Sequence, residues 1–275
     1  MKFSLVVVTT DRLSLVERLF RSLEAQTHKD FEVFFVHGSD CSEEAFTVAD
    51  RFPSLAIRIL ASPDHCLSRS RNLALPQVTG DVIAFPDDDC VYTPETLRHC
   101  AEAFTRQPPP DVILGGTAGL GENIPVAHDG LNPLTSRYAL FKYSISYTQF
   151  HKRDVVQAVG GFDENLGLGS DGPYQSGEDT DYVLRARESG FRICRARSVI
   201  VRHPSPDLGD PALKGKVRAY AKGRMYLLRK HRLPRWFVLS NIIWPLLCLP
   251  VECLRACLPV IRYRWGMFSA RLLAG

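Results

Sequence analysis

The chain opens on a continuous apolar and β-branched run, Phe3 to Thr9, the pattern of a strand buried on both faces of a parallel sheet. Leu13, Val16, Leu19, Phe20 and Leu23 then recur at helical spacing. The alternation repeats: Phe31 to Val36 predicts a second strand, Ala45 to Arg51 a helix and Ile57 to Leu60 a third strand. Residues 68–75 predict a helix, Val82 to Phe85 a fourth strand, and Pro94 to Arg106 a helix with proline in its first turn. Such repeated strand–helix units up to about residue 118 predict an open, mostly parallel α/β sheet with right-handed crossovers. Residues 115–140, rich in Gly, Pro and Asn, read as a loop or lid. Beyond about 141 the alternation weakens toward α+β, and Ser198 to Arg202 is an apolar-rich run.

Composition adds limits. A chain of 275 residues, 45% apolar and 23% charged, has room for a sizeable core and is neither disordered nor collagen-like. A net charge of +4 is too mild to announce a nucleic-acid binder. The 8 cysteines form no CxxC pair and no zinc-type spacing, which suggests reduced thiols in a cytoplasmic setting. The opening apolar run is too short for a secretory signal core.

The end of the chain changes character. Lys214, Lys216, Arg218, Lys222, Arg224, Arg229, Lys230, Arg232 and Arg235 cluster with almost no acid among them. Trp236 to Val251 then carries no charge. It is shorter than the roughly 20 residues of a transmembrane helix, and Pro245 and Pro250 interrupt it. With Trp244, Tyr263 and Trp265 nearby, residues 212–270 read as a membrane-surface anchor whose cations face anionic headgroups. The alternatives are a helical subdomain packed on the rest of the protein and a short re-entrant hairpin. Cys248, Cys253 and Cys257 are available for acylation, or are plain core cysteines.

Candidate chemistry sits where polar residues follow strands, because open α/β sheets bind ligands at the carboxyl ends of their strands. Phe85-Pro86-Asp87-Asp88-Asp89-Cys90 places adjacent carboxylates directly after the fourth strand. They repel one another unless a cation sits among them, and oxygen ligands on a short turn suit Mg²⁺ or Mn²⁺. A solvated acidic turn leading to the helix at Pro94 is the alternative. Ser176-Gly177-Glu178-Asp179-Thr180-Asp181 precedes a helical pattern that Gly190 ends. Ser176 with Asp179 resembles a capping box, and acids there complement the helix dipole. An Asp held at such a terminus is equally suited to act as a general base. His203 either closes its strand structurally or completes a metal shell with the Asp87–Asp89 turn. Gly167-Leu168-Gly169-Ser170-Asp171-Gly172 spells GxGxxG, but Pro173 follows and no strand precedes it, so it is a loop. No P-loop sequence is present.

Together these segments resemble the inverting family 2 glycosyltransferases of GT-A fold over residues 3–204. The likeness rests on Thr9-Thr10-Asp11-Arg12 after the first strand, Ser70-Arg71-Asn72 as an A-R-N-like element, and Asp87-Asp88-Asp89 as the DxD motif. Gly160-Gly161-Phe162-Asp163-Glu164 and Gly177-Glu178-Asp179-Thr180-Asp181 follow in the family's order. The resemblance implies a GT-A catalytic domain over 1–210, with 1–118 the nucleotide-binding half and 119–210 the acceptor-side half, and a helical membrane-associated extension over 211–275. It further implies that Asp87, Asp89 and His203 hold Mn²⁺ or Mg²⁺. Thr9, Asp11, Arg12, Asp40, Arg71 and Asp88 would lie around the nucleotide sugar, with Asp88 turned to the ribose. Asp179 would be the general base, and Gly161, Phe162, Asp163, Glu178 and Asp181 would stand on the acceptor side.

The implied partners are a nucleotide-diphosphate sugar donor, a glycan or lipid-linked acceptor and an anionic membrane surface, with no nucleic acid. The implied place is the cytoplasmic face of the cell membrane, in polysaccharide biosynthesis for the cell envelope. The sequence also departs from the family. The D-D-G-S segment after the second strand is here Val36-His37-Gly38-Ser39-Asp40, so the base-contacting Asp is missing or shifted to Asp40. The QxxRW element of processive synthases is absent, which favours a single transfer. A nucleotidyltransferase would carry a glycine-rich, basic loop after the first strand, whereas Thr9 to Leu15 has no glycine. A non-catalytic sugar-binding module would have no need of Asp87, Asp89, Asp179 and His203 together.

Overall fold

The computed structural model describes residues 1–38, 43–123, 130–205, 211–254 and 258–274. The first half alternates: β1 (Phe3–Thr9), α1 (Leu13–Glu24), β2 (Phe31–His37), α2 (Glu43–Asp50), β3 (Ile57–Ala61), α3 (Leu67–Ala74) and β4 (Val82–Ala84). Then come β5 (Val91–Tyr92), α4 (Thr96–Phe104), β6 (Val112–Ala118), β7 (Asn132–Pro133), α5 (Arg137–Tyr143), β8 (Gln149–Lys152) and α6 (Arg153–Val159). The chain continues through α7 (Glu178–Glu188), β9 (Ile193–Arg202), α8 (Pro211–Lys230), α9 (Arg235–Leu247), α10 (Leu249–Leu254) and α11 (Leu258–Ala274).

It divides into two compact units: Met1–Phe162 with Asp179–Ser205, and Asp163–Glu178 with Pro206–Gly275.

The first unit is built on one mixed sheet with the order β3-β2-β1-β4-β8-β6-β9-β5, and β7 pairs with β9. β1 lies parallel to β2 along its whole length, from Phe3 opposite Phe31 to Thr9 opposite His37, and parallel to β4 on its other side. β8 runs antiparallel to both β4 and β6. The expected parallel sheet is therefore real from β3 to β4 and becomes mixed beyond it.

As a strand buried on both faces should, β1 sends Phe3, Leu5 and Val7 into one apolar cluster with Val16, Leu19, Phe20 and Leu23 of α1. Its Val6 enters the opposite cluster with Phe34, Val36, Ile83 and Phe85. Each such side chain contributes about 1.5–3 kcal/mol on leaving water.

Several sequence-based boundaries move. β6 runs on to Ala118 and α5 occupies Arg137–Tyr143, so 115–140 is not loop throughout. In β6, Gly115 meets the Val199 carbonyl so closely that a Cβ would not fit, which is why glycines stand inside a strand. The helix expected at Pro94 begins at Thr96.

In the second unit α11 packs against α8 and α9. Pro245 does not break α9, which continues to Leu247. Proline leaves the carbonyl four residues earlier without its helical donor. That carbonyl belongs to Asn241, and Arg271 Nη1 of α11 donates to it at 2.6 Å. The Asn241 side chain accepts from Arg224 Nε of α8 at 3.0 Å and donates to the Phe237 carbonyl at 2.9 Å. One buried amide thus ties α8 to α9, and Asn241→Ala should cost about 1–3 kcal/mol by leaving buried polar groups unmatched. Urea unfolding followed by helical circular dichroism checks this. Among the described residues no helix is long and apolar enough to cross a membrane.

Candidate active site

β1 is the switch point of the sheet: β2 and β3 lie on one side, β4 and the later strands on the other. Open α/β sheets bind ligands at the carboxyl ends of the strands beside such a point. β1 ends at Thr9, and an isolated parallel bridge joins Val8 to Asp87 just past the end of β4. The acidic turn Asp87–Asp89 is therefore held at the carboxyl end of β1 by backbone pairing.

Each of the three carboxylates has a different environment. Asp87 Oδ1 accepts from Arg71 Nη2 at 3.2 Å and from Ser146 Oγ at 3.0 Å. Asp88 is buried; Thr9 Oγ1 donates to its Oδ2 at 2.6 Å, and Arg12 grips both of its oxygens. Asp89 meets Arg12 Nη1 at 3.0 Å and His203 Nε2 at 3.0 Å, while Arg18 Nη2 donates to its backbone carbonyl at 2.7 Å. Loss of water raises the Asp88 carboxyl to about 6 despite Thr9 and Arg12. Asp89 is also partly removed from water, but His203 and Arg12 outweigh that and hold it below the usual carboxylate range.

Ligand atoms of Asp87, Asp89 and His203 all lie within 4.8 Å of one another. His203 Nδ1 sits 2.7 Å from the Pro204 carbonyl, which can only accept, so Nδ1 carries the hydrogen. Nε2 then faces Asp89 Oδ1 either with a proton or with a lone pair. Asp89 Oδ1 is buried, and among the described residues His203 Nε2 is the polar group that approaches it. Two carboxylate oxygens and an imidazole nitrogen so arranged fit a divalent cation. The His203 ring is fixed by stacking on Tyr147 (centroids 4.5 Å apart, planes 8° apart), whose hydroxyl pairs with Thr117 Oγ1 at 3.0 Å.

Asp179 stands in the first turn of α7. Its Oδ1 accepts from the Thr180 amide at 2.6 Å, and its backbone carbonyl accepts from Gln149 Nε2 at 3.2 Å. Loss of water is the largest cause that raises its pKa; the Asp87 charge adds to it, while the Thr180 amide and the Arg71 charge oppose it. Asp179 therefore responds to Asp87 of the acidic turn and to its partner Arg71 of α3. Arg71 itself is buried, with its guanidinium over Phe85 at 5.7 Å and over Phe162 at 5.2 Å.

The fold shows how several expected residues are held. Asp88 accepts from Thr9 and from Arg12 on both of its oxygens, so it orients Arg12. Phe162 is a core ring, stacked on Tyr182 at 4.3 Å and held by Asn72 through both its amide and carbonyl. Asp181 is fully buried and accepts from Arg185 Nε at 2.8 Å, an ion pair inside α7. The capping box does not form, since Ser176 Oγ donates to the Tyr220 carbonyl.

The remaining expected residues are placed as follows. Gly161 is exposed, and a Cβ there would press on Asn72. Asp11 is exposed and accepts from Thr10 Oγ1. Asp163 accepts from Lys230 Nζ at 2.6 Å, and Glu178 is buried. Asp40 lies outside the described residues. Ser146, Tyr147, Arg18 and Gln149 were missed by sequence reasoning. Ser146 and Tyr147 occupy a single tight turn after α5, with no periodicity or motif to mark them.

The family profile described as Glycosyl transferase family 2 matches residues 4–156, more than half of the chain. The chain belongs to that family. Among relatives of this glycosyltransferase, the uncharacterized glycosyltransferase YwdF of Bacillus subtilis is 25% identical over 245 residues, covering 85% of each chain. Glycosyltransferase AglE of Haloferax volcanii is 22% identical over 258 residues, 88% of this chain and 82% of that one. The mannosyltransferase PcManGT from Pyrobaculum calidifontis, solved with GDP-Man and Mn²⁺, superposes with a TM-score of 0.67 at 16% identity, over 99% of this chain and 85% of that one. Residues 1–349 of S. aureus TarS, solved with UDP-GlcNAc, give 0.60 at 19% identity, over 98% and 89%. The glycosyltransferase has the GT-A fold.

Proposed function

We propose that this enzyme transfers a sugar, with inversion, from a nucleotide-diphosphate sugar to a hydroxyl of a glycan or lipid-linked acceptor, using a divalent cation and Asp179 as general base. The observation that carries this reading is the cluster of Asp87, Asp89 and His203, whose ligand atoms lie within 4.8 Å of one another just past the end of β4. The Asp87 charge is also among the causes that raise the Asp179 pKa, as expected of a base near that turn. Solved GT-A neighbours with GDP-Man and Mn²⁺, and with UDP-GlcNAc, support a nucleotide-sugar donor.

Asp87, Asp89 and His203 would hold Mn²⁺ or Mg²⁺, which when bound supplies charge neutralisation at the donor diphosphate as its bond to the sugar breaks. Arg12, aimed by Asp88, places a further positive charge beside that turn. The acceptor hydroxyl oxygen attacks the anomeric carbon, its proton passes to an Asp179 oxygen, and the bonding electrons leave with the diphosphate on the opposite face. No enzyme nucleophile is required for such an in-line displacement. Thr9, Asp11, Asp40 and Arg71 belong in this reading to the nucleotide side. Glu178 and Asp163 belong to the acceptor side. The GT-A domain of residues 1–210 would work at the inner face of the cell membrane, with 211–275 as its membrane-associated extension, in single-transfer synthesis of envelope polysaccharide.

The test is hydrolysis of, or transfer from, a panel of nucleotide-diphosphate sugars with Mn²⁺, Mg²⁺ or chelator. One donor should turn over only with metal. Turnover of none, or turnover indifferent to chelator, would overturn the reading.

A further inference from the structure

The second unit carries an apolar surface that packing inside the unit leaves open. On α9, Trp236, Leu239, Trp244 and Leu247 are each more than half exposed, and Ile243 is exposed between them. Positions 236, 239, 243 and 247 advance by three or four residues, so they form one stripe, while Asn241 and Pro245 on the other side are buried. On α11, Trp265 and Leu272, one double turn apart, are also more than half exposed. Single exposed apolar residues are ordinary; stripes containing tryptophan are docking surfaces.

Charge identifies the partner. Residues 211–275 contain thirteen Lys and Arg against Glu252 alone, a net charge of +12, although the whole chain carries +4; residues 1–210 are therefore at −8. Lys222 and Arg229 are exposed on α8, Arg232 just before α9 and Arg235 at its start. A second copy would set like charge against like charge. A polyanion without an apolar phase would leave the leucines and tryptophans unmatched. Anionic lipid offers both features, and tryptophan is favoured where apolar tails meet headgroups.

The same unit holds the acceptor-side loop 163–178. Lys230 Nζ of α8 pairs with Asp163 at 2.6 Å, and Tyr226 stacks on Tyr174 with centroids 4.2 Å apart. Ser176 Oγ donates to the Tyr220 carbonyl at 3.2 Å, and Gly223 lies so close to Ser176 that no Cβ would fit. In sequence, this loop ends one residue before Asp179.

We propose that the exposed faces of α9 and α11 dock on an anionic lipid bilayer and that the loop 163–178, strapped to α8, is ordered by that docking. This deepens the membrane-associated reading of residues 211–275 by naming the faces and the lipid charge, and rests on the glycosyltransferase reading for what the loop does.

The experiment is co-sedimentation of the full chain with vesicles of phosphatidylcholine and phosphatidylglycerol, against phosphatidylcholine alone. Binding should be about tenfold or more tighter to the anionic vesicles and should weaken with salt, because headgroup attraction is screened. The triple variant Trp236→Ser, Leu239→Ser, Trp244→Ser should lose roughly tenfold or more of that binding, with helical content and donor hydrolysis kept. Hydrogen exchange over 163–178 should slow when vesicles are added to the wild type, and not in Lys230→Ala, Tyr226→Leu.

A wild-type chain that stays in the supernatant, a triple variant that binds undiminished, or a lipid-independent dimer that the triple variant dissolves would overturn the docking. Unchanged loop exchange would overturn the strap. Failure of the catalytic reading looks different, as absent donor hydrolysis with vesicle binding intact.

Discussion

Asp179→Asn should lower kcat by about 10²–10⁴-fold while leaving the affinity for the donor almost unchanged, because the amide keeps the shape but cannot take up a proton. The substitution changes neither the Arg71–Asp87 contact nor the Thr9–Asp88–Arg12 group. A loss of donor affinity equal to the loss in kcat would instead make Asp179 a binding residue and would sink its assignment as base. The pH profile supplies a second readout. Loss of water and the Asp87 charge raise the Asp179 pKa above the ordinary 3.8. A base works only when ionised, so kcat/KM should fall on acidification with a midpoint above that ordinary value. In Asp179→Asn the acidic limb should flatten.

Asp89→Asn carries the second large effect. Asp89 faces His203 Nε2 on one oxygen and Arg12 on the other. Replacing its carboxylate removes one anionic ligand of the proposed cation and part of the charge that orients Arg12. Loss of one such electrostatic element should cost about 10²–10³-fold in kcat, with metal required at higher concentration. Mn²⁺ binding followed by paramagnetic resonance should weaken in parallel, which separates a ligand from a merely structural acid. Activity of Asp89→Asn equal to wild type at limiting metal would remove Asp89 from the cation site. Asp88→Asn is the informative contrast. Because Asp88 is held by Thr9 and Arg12, its effect should pass through Arg12 and leave metal affinity nearly intact.

The sheet was legible because its central strands announce themselves. A strand buried on both faces must be apolar throughout, and Phe3–Thr9 and Phe31–His37 are nearly so. The later strands were harder. β8 is Gln-Phe-His-Lys and β5 only two residues long, and neither has a period to detect. They exist because β4 and β9 offer partners, which is information from elsewhere in the chain. The helices at Pro94 and Gly177 illustrate the same limit at element ends, where local capping signals lost to tertiary contacts such as the one between Ser176 and Tyr220.

The acidic turn was legible in kind, since three adjacent carboxylates after a strand demand an explanation. What each carboxylate does was not. Only the fold brings Thr9 and Arg12 to Asp88, Ser146 to Asp87, and His203 to Asp89, across 59 residues of sequence or more. Phe162 and Asp181 sit beside the same motifs yet are buried, because a residue's exposure depends on what packs over it.

By itself, then, the order of residues determined the α/β alternation, the acidic turn at a strand end, the family likeness and the basic, apolar tail, since each depends on local pattern and composition. Tertiary structure alone decided which acid is saturated and which is open, where the imidazole nitrogen faces, and which side of α9 is left to solvent. Those outcomes depend on distances between residues remote in sequence, and hydrogen bonds and charges act through distance.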